Sequence, residues 1–220
     1  MALILNIETA TTVCSVCLSD GDKLVGIRET RDHNSHSRVV AVFIEEILKE
    51  SGIDRRKLDA VAVSKGPGSY TGLRIGVSTA KGLCYGLDIP MIGVSTLEAM
   101  ALGIKQKSFT DKLNLPVLFV PMIDARRMEV YTALFDQNLS PLRETTAEII
   151  TGDSFADLLP CHHLIIAGDG AGKCRSTLVH PNITYLDDFE TSSLYMVSKA
   201  NAFFEPGIFE NTAYFEPFYL

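Results

Sequence analysis

A carboxylate at the end of a buried strand can hold a metal ion. A run of backbone amides among glycines can hold a phosphate. This chain carries both features twice. Glu8 follows the apolar run 3–7, and Asp124 follows the apolar run 116–123. Lys65-Gly66-Pro67-Gly68-Ser69-Tyr70-Thr71-Gly72 follows Val61-Ala62-Val63, and Gly168-Asp169-Gly170-Ala171-Gly172-Lys173 follows residues 164–167. Strand, glycine turn and helix in that order aim N–H groups at an anion. The candidate anion or nucleotide site is therefore Glu8, Thr9, Gly66, Gly68 and Ser69, together with Asp124, Gly168 and Gly170. The first loop is not a P-loop, which ends in Gly-Lys-Ser/Thr, nor the dinucleotide fingerprint, because its third glycine comes one residue late. The same glycines serve equally well in a tight strand-to-helix turn that binds nothing.

Other chemistry finds less support. Cys14 and Cys17 have the spacing of a C-x-x-C pair, but they lie in an alternating strand pattern where residues three apart face opposite sides. His33 and His36 precede or begin one helix, and His162 and His163 are adjacent, so neither pair chelates a metal from one face. There is no Gly-x-Ser-x-Gly elbow and no local triad signature. Five scattered cysteines suit a reducing compartment, and a cytoplasmic location is expected. No apolar run approaches the ~18 residues of a membrane span, and the N-terminus lacks the pattern of a signal peptide. A chain of 220 residues with net charge −7 is expected not to hold nucleic acid by itself.

The elements that must position these residues repeat. Residues 3–7, 13–18 and 23–30 read as three antiparallel strands, then a helix begins at Ser35 or Ser37 and ends at Gly52. Residues 58–64 form a strand, the helix after the first glycine loop reaches Tyr85, and a short strand at 91–94 leads to a helix at 95–105. The order restarts with strands at 116–123, 128–135 and 142–148, a short helix at 154–159, a strand at 164–167 and a helix at 192–204. The aromatic segment after Gly207 docks onto the body. This is β-β-β-α-β-α twice: an α/β chain with the actin-like ATPase (ASKHA) fold, two ribonuclease-H-like halves around a cleft. The expected halves are 1–107 and 108–220, the last segment packing back on the first. The turns Glu8-Thr-Ala-Thr-Thr and Asp124-Ala-Arg-Arg-Met contain no glycine, which hinders close approach of phosphate, so the cleft reads as degenerate. ATP or ADP is expected to bind weakly or only within a complex, with no metal and no tightly bound cofactor.

Ile7-Glu8-Thr9-Ala10, the stretch Gly66-Pro67-Gly68-Ser69-Tyr70-Thr71-Gly72-Leu73-Arg74-Ile75-Gly76, Gly93-Val94-Ser95-Thr96-Leu97 and Ile123-Asp124-Ala125-Arg126 resemble the TsaB (YeaZ) family. The likeness runs over nearly the whole chain, with the motifs in order. It implies a partner of TsaD in making N6-threonylcarbamoyladenosine at position 37 of tRNAs that read ANN codons. TsaE, an ATPase, is the further partner it implies, with tRNA met only through the complex. The catalytic paralogue holds a metal with two histidines four apart on one helix. Thr96 and Met100 fall at those places here, and neither suits a hard or borderline divalent ion. The resemblance thus implies a non-catalytic scaffold. The alternative is an autonomous ATP-dependent enzyme of the same fold, a small kinase or hydrolase.

A scaffold needs a surface. Val39, Val40, Val42, Phe43, Ile44, Ile47 and Leu48 cover more of their helix than a single buried stripe of ~100° requires. Gly72, Gly76 and Ala80 form a smooth i, i+4 stripe on the next helix. The resemblance implies that TsaD, and a competing homodimer, use these two helices. The candidate interface is Val39, Val40, Phe43, Ile44, Ile47, Gly72, Ile75, Gly76, Thr79 and Ala80, and a bulky residue at Gly76 is expected to block pairing without unfolding the chain.

Overall fold

The computed structural model describes residues 1–32, 36–108, 110 and 113–220. The sequence-based expectations for His33 and Ser35 lie outside the described residues. Strand β1 (Leu3–Glu8) is buried along nearly its whole length. Such a strand belongs in the middle of a sheet. Strands β2 (Cys14–Asp20) and β3 (Lys23–Thr30) pair antiparallel from it, and Gly21 at φ +55 makes the turn between them. Helix α1 (His36–Ser51), strand β4 (Ala60–Ser64), helix α2 (Tyr70–Leu87), strand β5 (Met91–Val94) and helix α3 (Thr96–Lys107) follow. The first sheet has the order β3-β2-β1-β4-β5, with β4 parallel to both β1 and β5.

The second sheet is built from β6 (Val117–Asp124), β7 (Glu129–Phe135), β8 (Pro141–Ile149), β9 (His163–Ala167) and β10 (Ile183–Tyr185). Its order is β10-β9-β6-β7-β8, which is the order of the first sheet read from the other end. The first strand of each half is central, flanked by its antiparallel neighbour and by the parallel strand that precedes the glycine loop. The duplication read in the sequence is thus a duplication of topology.

The halves differ in their helices. The helix expected at 154–159 is a series of turns closed by bonds such as Ala156 N–H to the Asp153 carbonyl at 3.1 Å, with Phe155 at φ 62. A bulky aromatic residue in the left-handed region breaks any regular helix there. After the second glycine loop, helix α4 (Ala171–Cys174) is a single turn. The helix expected from 192 opens as a 3₁₀ turn at Ser193–Met196 and becomes α5 only over Val197–Phe204. Strand β10 was not expected from the sequence, being only three residues long.

The chain divides into two compact units: Met1–Ala99 with Thr191–Tyr219, and Met100–Glu190 with Leu220. In the first unit Leu5, Ile7, Val16 and Leu18 of the sheet pack against Val40, Ile44 and Ile47 of α1 and Val77, Ala80 and Cys84 of α2. The second unit has its own core around Leu118, Val120, Leu134, Phe155 and Ile166. The segment after α5 stays within the first unit: Glu210 N–H bonds the Met91 carbonyl at 2.8 Å, and Phe218 N–H bonds the Lys65 carbonyl at 2.7 Å. Among the described residues no helix is long and apolar enough to cross a membrane.

Two helical glycines in α2 separate packing from openness. A Cβ at Gly76 would lie 2.3 Å from Thr9 Oγ1, whereas a Cβ at Gly82 would meet nothing within 4 Å. Alanine gains about 1 kcal/mol over glycine in a helix interior, but overpacking a filled core costs about 1–3 kcal/mol. Gly82→Ala is therefore expected to raise the urea midpoint and Gly76→Ala to lower it. Equal shifts for the two variants would show that Gly76 is not packed against the first turn.

Candidate functional site

The first glycine loop is closed by the protein itself. Gly68, at φ +157, faces the Ala10 carbonyl: a Cβ there would lie 2.3 Å from that oxygen. Ser69 N–H donates to the same carbonyl at 2.6 Å. A Cβ at Gly72 would lie 2.1 Å from the Thr9 carbonyl oxygen, and one at Gly66, φ +105, 2.5 Å from the Phe218 carbonyl oxygen. Ser69 caps α2 by accepting from Gly72 N–H at 3.2 Å. Three carbonyl oxygens thus stand where side chains would be, and carbonyl oxygens repel a phosphate.

The second loop repeats the device. A Cβ at Gly168, φ +117, would lie 2.2 Å from the Met122 carbonyl oxygen, and one at Gly170 would lie 2.8 Å from the carbonyl carbon of Ile123. Gly170 N–H donates to the Met122 carbonyl at 3.1 Å. In the first half these glycines admit the backbone of the turn after β1, and in the second they admit the last residues of β6.

Both candidate acids are satisfied from within. Glu8 is 1% exposed, and its Oε1 accepts from Ala10 N–H at 2.6 Å. Burial pushes its pKa up to about 7, against smaller opposing effects from hydrogen bonds with Ala10 and Ser64. Asp124 Oδ1 accepts from Lys173 Nζ at 2.5 Å and from Arg126 N–H at 2.7 Å. Lys173 also donates to the Glu129 carbonyl at 2.6 Å. This ammonium pins a hairpin tip in which Arg126 and Arg127 both take positive φ, 72 and 45. An internal cation therefore already stands beside the acid that the sequence offers as a metal ligand. As arranged, neither half fits a magnesium-bound phosphate.

The other candidate centres are equally enclosed. Thr96 and Met100, four apart on α3, are 0% and 1% exposed, and Thr96 Oγ1 has no hydrogen-bond partner. Among the described residues no cluster of three His, Cys, Asp or Glu side chains is placed to hold a metal. His36 is buried with Nε2 3.0 Å from the Thr11 carbonyl. Burial pushes the Cys14 and Cys17 thiols up to about 12, far from thiolate reactivity at neutral pH.

The expected interface splits into a buried and an open part. Val40, Ile44, Ile47, Gly72, Gly76 and Ala80 lie inside the first unit's own core. Gly72 and Gly76 press on the first turn, so the expectation of an outward glycine stripe does not hold, and Gly76 is no place for a bulky probe. Val39, Phe43, Ile75 and Thr79 are half-buried on the shoulders of α1 and α2. Val42, counted in the apolar run but not among the candidate contacts, is 47% exposed. On α2 the outward residues are Tyr70, Thr71, Arg74, Ser78, Gly82, Tyr85 and Gly86. The signal for the outer face was the phase of these residues relative to Leu73, Val77 and Cys84, which fix the inner one.

The buried Glu8 has a thermodynamic consequence. Between its unfolded value near 4.5 and its folded value near 7, the folded protein holds a proton that the unfolded chain has released. Stability conferred by this group is therefore greatest below about pH 4.5 and falls as pH rises to about 7, by roughly 3 kcal/mol. Glu8→Gln keeps the acceptor for Ala10 N–H and removes the titration. Its stability relative to the unsubstituted protein should climb across that window and then level off. Parallel pH profiles in chemical denaturation would mean that Glu8 ionises normally.

The family model for TsaD, tRNA N6-adenosine threonylcarbamoyltransferase, matches residues 22–185. The TsaB tRNA threonylcarbamoyladenosine biosynthesis protein of Escherichia coli K12 is 38% identical over 135 residues, 61% of this chain and 55% of that one. Its Bacillus subtilis counterpart is 35% identical over 132 residues, 60% of this chain and 54% of that one. These matches span about half the length of the curated relatives. A solved structure of YeaZ from Pseudomonas aeruginosa superposes with a TM-score of 0.82 at 23% identity, covering all of both chains. The fold is accordingly of the actin-like ATPase type expected from the sequence. The chain is similar to the TsaB/YeaZ proteins, and with its family match across residues 22–185 it belongs to the tRNA N6-adenosine threonylcarbamoyltransferase (TsaD) family.

Proposed function

We propose that this chain is a non-catalytic scaffold subunit that supports TsaD in N6-threonylcarbamoylation of adenosine 37 of tRNAs reading ANN codons. The observation that carries the reading is the pair Thr96 and Met100. In the resemblance read from the sequence they fall where the paralogue's metal-binding histidines would be, and both are sealed in the interior. A hydroxyl and a thioether there supply no competent ligand set for a divalent ion. In this reading TsaD holds substrate and metal, TsaE resets the complex, and tRNA is met only through the complex in the cytoplasm. The isolated chain binds no cofactor tightly.

The partner surface in this reading is the outer face of α1 and α2, with Val42 at its exposed centre and Val39, Phe43, Ile75 and Thr79 beside it. A homodimer through the same face competes with TsaD. The rival reading, an autonomous kinase or hydrolase of this fold, has Glu8 in its favour, since a carboxyl poised near neutrality suits proton transfer. Against it, Glu8 is enclosed and already bonded to its own turn.

Two measurements separate these readings. Val42→Asp places a charge on an exposed position of α1, so the monomer should melt normally. Pairing with TsaD should fall by about a hundredfold or more, because an unpaired charge would be buried in the contact. In a reconstituted tRNA-modification assay, omission of TsaD should abolish turnover, as should omission of this chain. Turnover by this chain alone, scaling with its concentration, would favour the rival.

A further inference from the structure

An exposed aromatic cluster sits at the N-terminal end of α2. Tyr70 is 56% exposed, Phe218 44% and Tyr219 41%. The Tyr70 and Tyr219 rings meet with centroids 4.9 Å apart, and the Arg74 guanidinium lies 4.6 Å from the Tyr70 ring centroid. The returning segment is held in place by main-chain bonds, Phe218 N–H to the Lys65 carbonyl and Glu210 N–H to the Met91 carbonyl. Lys81 Nζ adds a bond to the Ala213 carbonyl at 3.3 Å. Among the described residues Arg74 meets no carboxylate, and neither tyrosine hydroxyl has a hydrogen-bond partner. Core burial does not explain such a group, whose rings are stacked in advance and whose polar tips are free.

We propose that Tyr70, Arg74 and Tyr219 form a binding hot spot for the TsaD-family partner, taking an apolar side chain on the two rings and a carboxylate at Arg74. This rests on the reading that the outer face of α1 and α2 is the partner surface. Arg74 and Tyr70 continue that face one and two turns before Ser78. Tyrosine and arginine are the residues that dominate interface hot spots, because large rigid rings bury area at little entropic cost. A second copy of this chain is the poorer occupant: an isologous contact centred here would set Arg74 against Arg74. A different chain can place an acid opposite it. The returning segment is then part of the interface rather than a mere wrap around β5.

The test uses the full chain and purified TsaD from the same genome, with affinity measured by calorimetry and each variant first checked for a native melting transition. Tyr70→Ala and Tyr219→Ala should each weaken pairing at least about tenfold, and together by less than the product of the two, since the rings act as a unit. Arg74→Gln, which touches none of the bonds that hold the returning segment, should weaken pairing and flatten its salt dependence even if Tyr219→Ala loosens that segment. Val42→Asp reports separately on the helix face. If it blocks pairing while all three cluster variants bind normally, the hot spot is wrong and the face reading stands. If the cluster variants weaken pairing and Val42→Asp does not, the hot spot stands and the contact is centred on it. Loss of self-association with unchanged TsaD affinity would assign the cluster to a second copy and overturn the proposal. Normal binding by every variant would overturn it too.

Discussion

In each half of this molecule backbone at the end of the first strand, or just past it, fills the volume that glycine leaves empty. The carbonyl oxygens of Thr9 and Ala10 lie 2.1 and 2.3 Å from where Cβ atoms of Gly72 and Gly68 would be, and that of Met122 lies 2.2 Å from the same point at Gly168. Any side chain at these positions would push that backbone away from the loop. The turn in the first unit is also a junction. Thr11 Oγ1 meets Thr191 Oγ1 at 2.6 Å, His36 meets the Thr11 carbonyl, and Ser69 N–H meets the Ala10 carbonyl. Helix α1, helix α2 and the segment before α5 are therefore registered on one short turn.

The same constraint shapes what the protein can do. Loops that wrap a ligand present donors inward, whereas these present their glycines to acceptors that belong to the chain. The two acids have gone the same way: Glu8 is enclosed and bonded to Ala10, and Asp124 is neutralised by Lys173. Stability and catalysis compete for the same groups, and here each group has a structural partner. Val42 on α1, and Tyr70, Arg74 and Tyr219 around the start of α2, lie open on the surface. A function carried by a surface follows more naturally from this arrangement than one carried by a cleft.

The sequence made the duplication legible, because hydrophobic period and turn residues report strand and helix directly. The exposed or buried side of α1 was harder. Its run from Val39 to Leu48 is apolar nearly all round, so period alone does not say that Val40 and Ile44 face the sheet while Val42 faces out. Gly72 and Gly76 misled for another reason: glycine that admits a foreign helix and glycine that admits the chain's own turn look identical until the neighbour is placed. Lys173 gave no signal as the partner of Asp124, since 49 residues separate them. Three-residue β10 and one-turn α4 are too short for any period to show. The Tyr70–Tyr219 pair joins the middle of the chain to its last residues and is likewise invisible to local patterning.

We propose that the glycine loops hold the protein's own backbone in place of a nucleotide. Calorimetric titration of magnesium-ATP into the isolated chain tests it most directly. The expected result is no affinity better than roughly the high-micromolar range, about −5 to −6 kcal/mol. Sub-micromolar binding that requires magnesium would contradict it, because the turns would then have to withdraw from the glycines to admit phosphate.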